Sequence, residues 1–408
     1  MPRFRPVQSS GSRFCAAIVF VAELLGCGPI AMAQSPPQAS SALPWIRVDD
    51  DRRGFSLVAS SGRDGDGRSQ TTRPFVPWGF NYDHDRSGRL LEDYWHDEWR
   101  SVEEDFQEMQ ELGANVVRIH LQLGRFLSAP DKPDDRNLRQ LAKLVKLAES
   151  RRMYLDVTGL GCYHKADVPA WYDELAESAR WDVQARFWEE VARVCRGSPA
   201  IFCYDLMNEP VSPAGRGPPD RWLGPPFAGK HFVQYLATDQ AGRDRWRIAK
   251  AWIERLVVAI RRHDDRHLIT VGLVDWSLDR PGLTSGLVPD KISERLDFLA
   301  VHLYPQPARL AEDLETLAAF ARVGKPVVIE ETFPLRCSPT EFREFLDKSR
   351  VHAAGHIGFY WGETEDELQR KLERLKRSDR PADERLRESI GVQLQLEWLR
   401  AFRELRPK

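Results

Sequence analysis

Polar residues recur in this sequence where apolar runs end. Asn81 and Asp83, Arg118 and His120, Asn208 and Glu209, Asp275 and Trp276, His302 and Tyr304, Glu330 and Glu331, and Trp361 and Glu363 each close or follow a short apolar stretch. Packing alone would fill such positions with aliphatic side chains, so their polarity points to a site. The carboxyl groups among them carry the most chemistry. Two carboxyls flanking a glycosidic bond can split it, one protonating the leaving oxygen and the other attacking the anomeric carbon or activating water. Glu209, with Glu330 or Glu331, supplies the candidates. A separation of about 5–5.5 Å would mean retention of configuration and about 6.5–9.5 Å inversion.

To converge, these residues need a scaffold that brings many strand ends to one face. The chain alternates apolar stretches at 75–82, 115–121, 153–158, 201–207, 268–273, 298–303, 326–330 and 357–361 with amphipathic patterns at 98–112, 138–150, 183–194, 243–262, 308–321 and 341–350. Most of the apolar stretches are apolar on both parities, as in parallel strands covered on both faces. The pattern predicts an α/β fold, a (β/α)8 TIM barrel with extended βα loops, whose function gathers at the C-terminal strand ends. A doubly wound sheet is the other arrangement, but no glycine-rich phosphate-binding turn follows the first strand. Ser338, Pro339 and Glu341 predict a capped helix start, while 275–296 holds only a short helical candidate at 291–295. Segments 45–48 and 55–59 flank the turn-forming DDDRRG and predict a β-hairpin closing the N-terminal mouth, followed by a solvated loop over 60–73.

Several motifs fall on these strands in order. They are Arg118 on strand two, Tyr204-Asp205-Leu206-Met207-Asn208-Glu209-Pro210 on strand four, Val301-His302-Leu303-Tyr304-Pro305 on strand six, Lys325-Pro326-Val327-Val328-Ile329-Glu330-Glu331 on strand seven and Trp361 on strand eight. Together, over roughly residues 44–365, they resemble glycoside hydrolase family 5, the cellulase family, within the retaining (β/α)8-barrel glycosidase clan. The resemblance implies retaining cleavage of a β-linked polysaccharide or oligosaccharide, β-glucan (cellulose) or β-mannan, with no cofactor and no metal. It implies Glu209 as acid/base and Glu331, the last acidic residue of its motif, as nucleophile. Arg118 and Tyr304 are then placed to keep the nucleophile ionised, and Asn208 to bond the sugar 2-hydroxyl. His120 and His302 belong to the same subsite, and Trp361 and Trp276 flank the ring. One position departs from the family, which carries a histidine at the end of strand three where this chain has Thr158. His164 or His120 is left to fill that space. The departure supports an alternative, a carbohydrate-binding barrel without hydrolysis; a transglycosylase on the same scaffold is another.

The connection after Glu209, residues 211–240, is about twice the dozen or so residues beyond which structureless loops become uncommon. Its aromatics Trp222, Phe227, His231 and Tyr235 either wall the cleft and stack on sugars or pin the loop to the barrel; Trp222 is taken as a substrate contact. His263, Asp264, Asp265 and His267 have the density of a metal site, yet they lie between a helix and strand five and read as a solvated turn at the barrel's other end. Cys162, Cys195, Cys203 and Cys337 form no CxxC pair, and Cys203 reads as a small buried hydrophobe.

The 408 residues are 42% hydrophobic and 29% charged, with 59 basic against 61 acidic side chains. That composition is globular, and the balance gives no sign of nucleic-acid binding; no stable protein partner is predicted. Arg3, Arg5 and Arg13, an apolar run over 14–25 and Ala31-Met32-Ala33 have the layout of a secretory signal over 1–33. The expectation is an exported protein, periplasmic or extracellular. Leu24-Leu25-Gly26-Cys27 offers a second reading, a lipoprotein anchored through Cys27. Residues 34–43 read as a linker and 44–408 as a single barrel domain.

Overall fold

The computed structural model describes residues 43–58, 72–213, 215–217, 221–359 and 361–407. The signal segment with Cys15 and Cys27, the linker up to residue 42, and most of the 60–73 loop lie outside the described residues. The barrel strands are β1 (Trp78–Tyr82), β2 (Val116–Gln122), β3 (Tyr154–Gly161), β4 (Ile201–Asp205), β5 in two halves (Leu268–Thr270 and Gly272–Val274), β6 (Leu299–His302), β7 (Val327–Glu331) and β8 (Gly355–Gly358). All neighbours are parallel. The first half of β5 pairs with β4 and the second with β6, so Val271 alone links the ladders and the circuit is complete. This is the predicted (β/α)8 barrel. Every residue of β1, β2, β3 and β4 is buried, the consequence of apolar side chains on both parities between an inner core and an outer helix layer.

The outer layer contains α1 (Trp99–Glu111), α2 (Asp135–Arg151), α3 (Glu177–Cys195), α4 (Arg245–Arg261), the short α5 (Pro289–Ile292), α6 (Leu310–Ala321) and α7 (Pro339–Lys348). Helix α7 starts as its sequence requires. Glu341 N–H donates to Ser338 Oγ at 3.2 Å and Ser338 N–H to Glu341 Oε2 at 2.8 Å, a reciprocal capping box.

Two helices went unforeseen, α8 (Glu365–Lys376) and α9 (Ala382–Glu404). Their sequence is dominated by charge, and only a narrow stripe faces inward: Leu368 and Leu375, then Val392, Leu396, Trp398, Leu399 and Phe402. That stripe covers the β8–β1 seam. Trp78 stacks on Phe402 at 4.2 Å and donates its indole N–H to the Phe402 carbonyl at 3.1 Å.

The N-terminal hairpin forms as expected from Trp45–Val48 and Phe55–Val58, with Arg73–Phe75 added as a third antiparallel strand. Phe55 meets Phe202 and Phe298 edge-on at 5.1 and 5.3 Å, plugging the end where β4 and β6 begin. The 263–267 turn lies at this end too, but two of its residues are buried, contrary to the solvated reading. His267 Nδ1 sits 2.5 Å from Asp264 Oδ2, and Asp264 also accepts from the Tyr204 hydroxyl at 2.6 Å. The pair is a structural latch. Cys162, Cys195, Cys203 and Cys337 are free and buried. No helix among the described residues is long and apolar enough to cross a membrane.

Candidate active site

Two consecutive glutamates both reach the barrel interior because β7 bulges. Val301 faces Ile329, but the next β6 residue, His302, faces Glu331, so Glu330 is an extra residue in the ladder. A bulge re-aims side chains that strict alternation would send to opposite faces. Arg118, fully buried on β2, gathers both. Its Nη1 lies 2.6 Å from Glu331 Oε1 and its Nη2 3.4 Å from Glu330 Oε2. Nη2 also donates to Asp205 Oδ2 at 2.8 Å and Asn208 Oδ1 at 3.0 Å, and Nη1 to Asn81 Oδ1 at 2.8 Å. The Tyr304 hydroxyl donates to Glu331 Oε2 at 2.7 Å. Arg118 and Tyr304 therefore both hydrogen-bond Glu331, one to each carboxylate oxygen.

His302 stands between the acids. Its Nδ1 is 3.0 Å from Glu209 Oε1 and 3.5 Å from Glu331 Oε2, and its Nε2 is 3.2 Å from Glu330 Oε2. Room for the ring comes from Gly272, where a Cβ would fall 2.9 Å from His302 Nε2 and 3.3 Å from Arg118 Nη2. Glu209, Glu331 and His302 each offer an atom within 4.8 Å of the others. The Glu209 side chain is 19% exposed and that of Glu331 7%, so Glu209 is the acid on the solvent side. Glu209 has φ +45°, a left-handed conformation that costs a non-glycine residue roughly 1–2 kcal/mol. Its N–H donates to the Gly272 carbonyl at 3.1 Å, which fixes the strained turn.

Burial opposes charge on His302, but Glu331, Glu209 and Glu330 outweigh it and push its pKa up to about 10. Burial alone would raise Glu330, yet Arg118 and His302 hold it below the usual carboxylate range. For Glu331 burial prevails and the net shift is upward, although His302, Arg118 and Tyr304 all pull down. Asp156, beside them on β3, is pushed well above its usual range by burial and then by Glu330. The pit thus packs two basic groups, Arg118 and His302, against the carboxyl groups of Glu330, Glu331 and Asp205, with Asp156 beside them. The Glu209–His302–Glu331 trio is compact enough for a metal ion, although Arg118 already places a cation 2.6 Å from Glu331.

At the strand-three departure His120 lies in the site, held by Tyr163, a residue outside the sequence motifs. His120 Nε2 lies 3.0 Å from Asn81 Oδ1 and its Nδ1 2.5 Å from the Tyr163 hydroxyl. Burial first, and Arg118 second, lower the His120 pKa well below its usual value, so the ring is neutral. Asn81 Oδ1 can only accept, which puts the proton on Nε2 and leaves Nδ1 to accept from Tyr163. Thr158 bonds Asp205 Oδ2 at 2.8 Å instead, and His164 takes no part. Asp205 also went unflagged, although a buried acid in an apolar strand is itself a signal.

Two tryptophans are not where the sequence reading put them. Strand β8 ends at Gly358, short of the predicted 361, so Trp361 turns outward. It is 2% exposed and donates its indole N–H to Asp105 of α1 at 3.0 Å, leaving no face for a sugar. Phe359, half-buried, takes the cleft position, with its ring 6.4 Å from Tyr304 and 6.3 Å from Phe232. Trp222 is fully buried. Its indole N–H donates to Asp173 at 2.8 Å, Arg180 lies over its ring at 4.6 Å and Tyr172 meets it edge-on at 5.3 Å. It pins the long loop and is not a cleft wall. Trp222→Ala should cost about 3–5 kcal/mol of stability, as for other buried tryptophans, seen in the denaturant midpoint. It should change KM equally for long and short substrates.

The loop nonetheless crosses the catalytic face. Pro210–Val211 pairs with Gln234–Tyr235, His231 N–H donates to the Tyr163 carbonyl at 2.8 Å, and the Phe232 carbonyl accepts from Asn208 Nδ2 at 3.1 Å. Of the predicted sugar-flanking tryptophans only Trp276 is half-buried and lines an open groove.

A barrel whose C-terminal mouth sets two carboxylates about a buried arginine, histidine and tyrosine has the architecture of a glycoside hydrolase. The sequence model of Cellulase (glycosyl hydrolase family 5) matches residues 75–362, and the chain belongs to that family. It is a glycoside hydrolase with a carbohydrate substrate. No curated protein matches the sequence. Among solved structures, the endo-1,4-β-mannanase of Rhizomucor miehei is similar with a TM-score of 0.54 at 18% identity, covering 78% of this chain and 94% of that one. The exo-β-1,4-mannosidase of an Opitutaceae bacterium gives 0.55 at 18%, covering 86% and 64%. A GH5_18 protein of Bifidobacterium longum subsp. longum, solved with Manβ1-4GlcNAc, gives 0.57 at 13%, covering 81% and 78%. At these identities the likeness is one of fold.

Proposed function

We propose that the protein is an exported, retaining β-glycosidase acting on β-mannosides, with Glu331 as nucleophile and Glu209 as acid/base. The observation that carries this reading is the spacing of the two acids. Oxygens of Glu209 and Glu331 lie within 4.8 Å, in keeping with the roughly 5–5.5 Å of retaining enzymes and short of the gap that would admit a water between acid and sugar. Glu331 attacks the anomeric carbon while Glu209 protonates the leaving oxygen. Glu209 then takes a proton from the water that releases the sugar. Asn208 gives one amide hydrogen to Phe232 and keeps the other for the sugar 2-hydroxyl, a contact that strengthens in the transition state. The mannanase, mannosidase and Manβ1-4GlcNAc-bound structures of similar fold support a mannoside over a glucoside. The basic-then-apolar opening of the sequence supports export.

Proton NMR of the hydrolysis of aryl β-mannosides, aryl β-glucosides and mannooligosaccharides tests the reading. The β-anomer should appear first, and from mannosides fastest. First appearance of the α-anomer would overturn retention, and faster glucoside turnover would overturn the substrate.

A further inference from the structure

A groove of about 560 Å³ opens between the long loop that follows Glu209 and the residues just after β5. Val211, two residues past Glu209, forms one wall with Tyr235. Trp276, just after β5, forms another, and the rest includes Arg216, Arg221 and Arg245. Among the described residues that line this space there are three guanidinium groups and no carboxylate.

The arginines differ in what already engages them. Arg216 is largely exposed and lies 3.5 Å from Asp239, a loose pair. Arg221 has no ion-pair partner among the described residues. Arg245 is half-buried and held in place: its Nε donates to the Ser212 carbonyl at 2.8 Å. Its stem lies on Gly286, where φ is +85° and a Cβ would fall 2.9 Å from Arg245 Cβ. No carboxylate pairs with Arg245 among the described residues, and burial alone, unopposed by any acid, lowers its pKa. Its neighbour in sequence behaves otherwise, since Arg243 holds Glu177 through both terminal nitrogens at 2.6 and 2.8 Å. A positioned, partly desolvated guanidinium without a counter-ion is a recognition element for a planar anion. Tyr235 and Trp276 add aromatic faces on which a sugar ring can lie.

We infer that this groove binds an acidic sugar, a uronic acid unit, in the leaving portion of the substrate. The polarity follows from the chemistry and rests on Glu209 being the acid/base. The leaving oxygen sits at Glu209, so the chain it carries extends past Glu209 toward the loop that starts there. The uronate carboxylate meets Arg245 and Arg221, and its ring meets Trp276.

The test uses binding, so that turnover is not needed. Calorimetric titration of the Glu331→Gln protein compares a β-linked disaccharide ending in glucuronic acid with its glucose-ended counterpart. The acidic disaccharide should bind about tenfold more tightly at low salt, the worth of a charge-assisted hydrogen bond, and the margin should shrink as salt rises. Arg245→Gln or Arg221→Gln should reduce the margin and the double substitution remove it, with thermal unfolding checking that each variant is folded. Equal binding of the two disaccharides, or a margin that survives in the folded double variant, overturns the inference. Hydrolysis of aryl mannosides by the unaltered enzyme without any acid preference would sink the groove assignment alone. Acid preference without hydrolysis of any glycoside would sink the catalytic reading and leave the groove standing.

Discussion

Glu331→Gln is expected to lower kcat on every substrate by about 10⁴-fold or more, the scale seen when a covalent nucleophile is removed, with the fold retained. The amide oxygen can still accept from Arg118, its NH2 then facing the Tyr304 hydroxyl as a donor, and Arg118 keeps Glu330 and Asp205 as partners at 3.4 and 2.8 Å. The neighbouring change should behave differently. Glu330 is fully buried between Arg118 and His302, and its neutralisation leaves both cations under-compensated. Glu330→Gln should therefore show as lost stability, on the order of 3–5 kcal/mol for breaking a buried pair, with a smaller effect on the chemical step. The two glutamates can also be told apart by stereochemistry. In Glu331→Ala, added azide can take the vacated place and attack from the nucleophile's side. One displacement inverts, so the product from a β-mannoside should be the α-mannosyl azide. If the collapse in kcat and the azide product belong to Glu330 variants instead, the nucleophile is misassigned.

What the sequence revealed and what it hid divide along a physical line. The strand-four and strand-seven motifs are contiguous, each fixed by one strand end, and so their placement could be read from apolar runs and the residues closing them. Glu330 against Glu331 could not be settled from alternation, because alternation is the rule that the β7 bulge breaks. Trp361 failed for a related reason. A strand extended to 361 would aim it at the cleft, but the strand stops at Gly358, and Asp105, 256 residues away in sequence, then captures its N–H. Trp222 is likewise decided by Asp173 and Arg180, partners from another segment. Gly272 leaves no trace in sequence at all. Its missing side chain is the space that His302 and Arg118 occupy, a fact about three strands at once. The charged C-terminal helices were overlooked because only a narrow face of each is buried, and a narrow stripe in a charged segment is a weak periodic signal.

Glu209→Ala is the change whose effect should depend on the substrate. The residue sits where the chain leaves β4, in a left-handed turn just before Pro210, with His302 donating to it at 3.0 Å. The greater exposure of Glu209 suits a group that meets both the leaving oxygen and the incoming water. A general acid matters in proportion to the leaving group's need for a proton. For mannooligosaccharides, whose leaving alcohols are poor, kcat/KM should fall by about 10²–10⁴-fold. For a dinitrophenyl β-mannoside, which departs as a stable anion, kcat/KM should change little, since that ratio reports the first step. Release of the glycosyl-enzyme should slow instead, because no base activates water. A burst of dinitrophenol followed by a slow steady state, with a lowered KM, is the expected trace in stopped flow. Azide needs no base and should restore turnover. It would attack the covalent intermediate, so two inversions yield the β-mannosyl azide, opposite to the product expected from Glu331→Ala. A loss of equal size across good and poor leaving groups would mean that Glu209 only positions the sugar or His302. The acid would then have to be sought elsewhere on the same face.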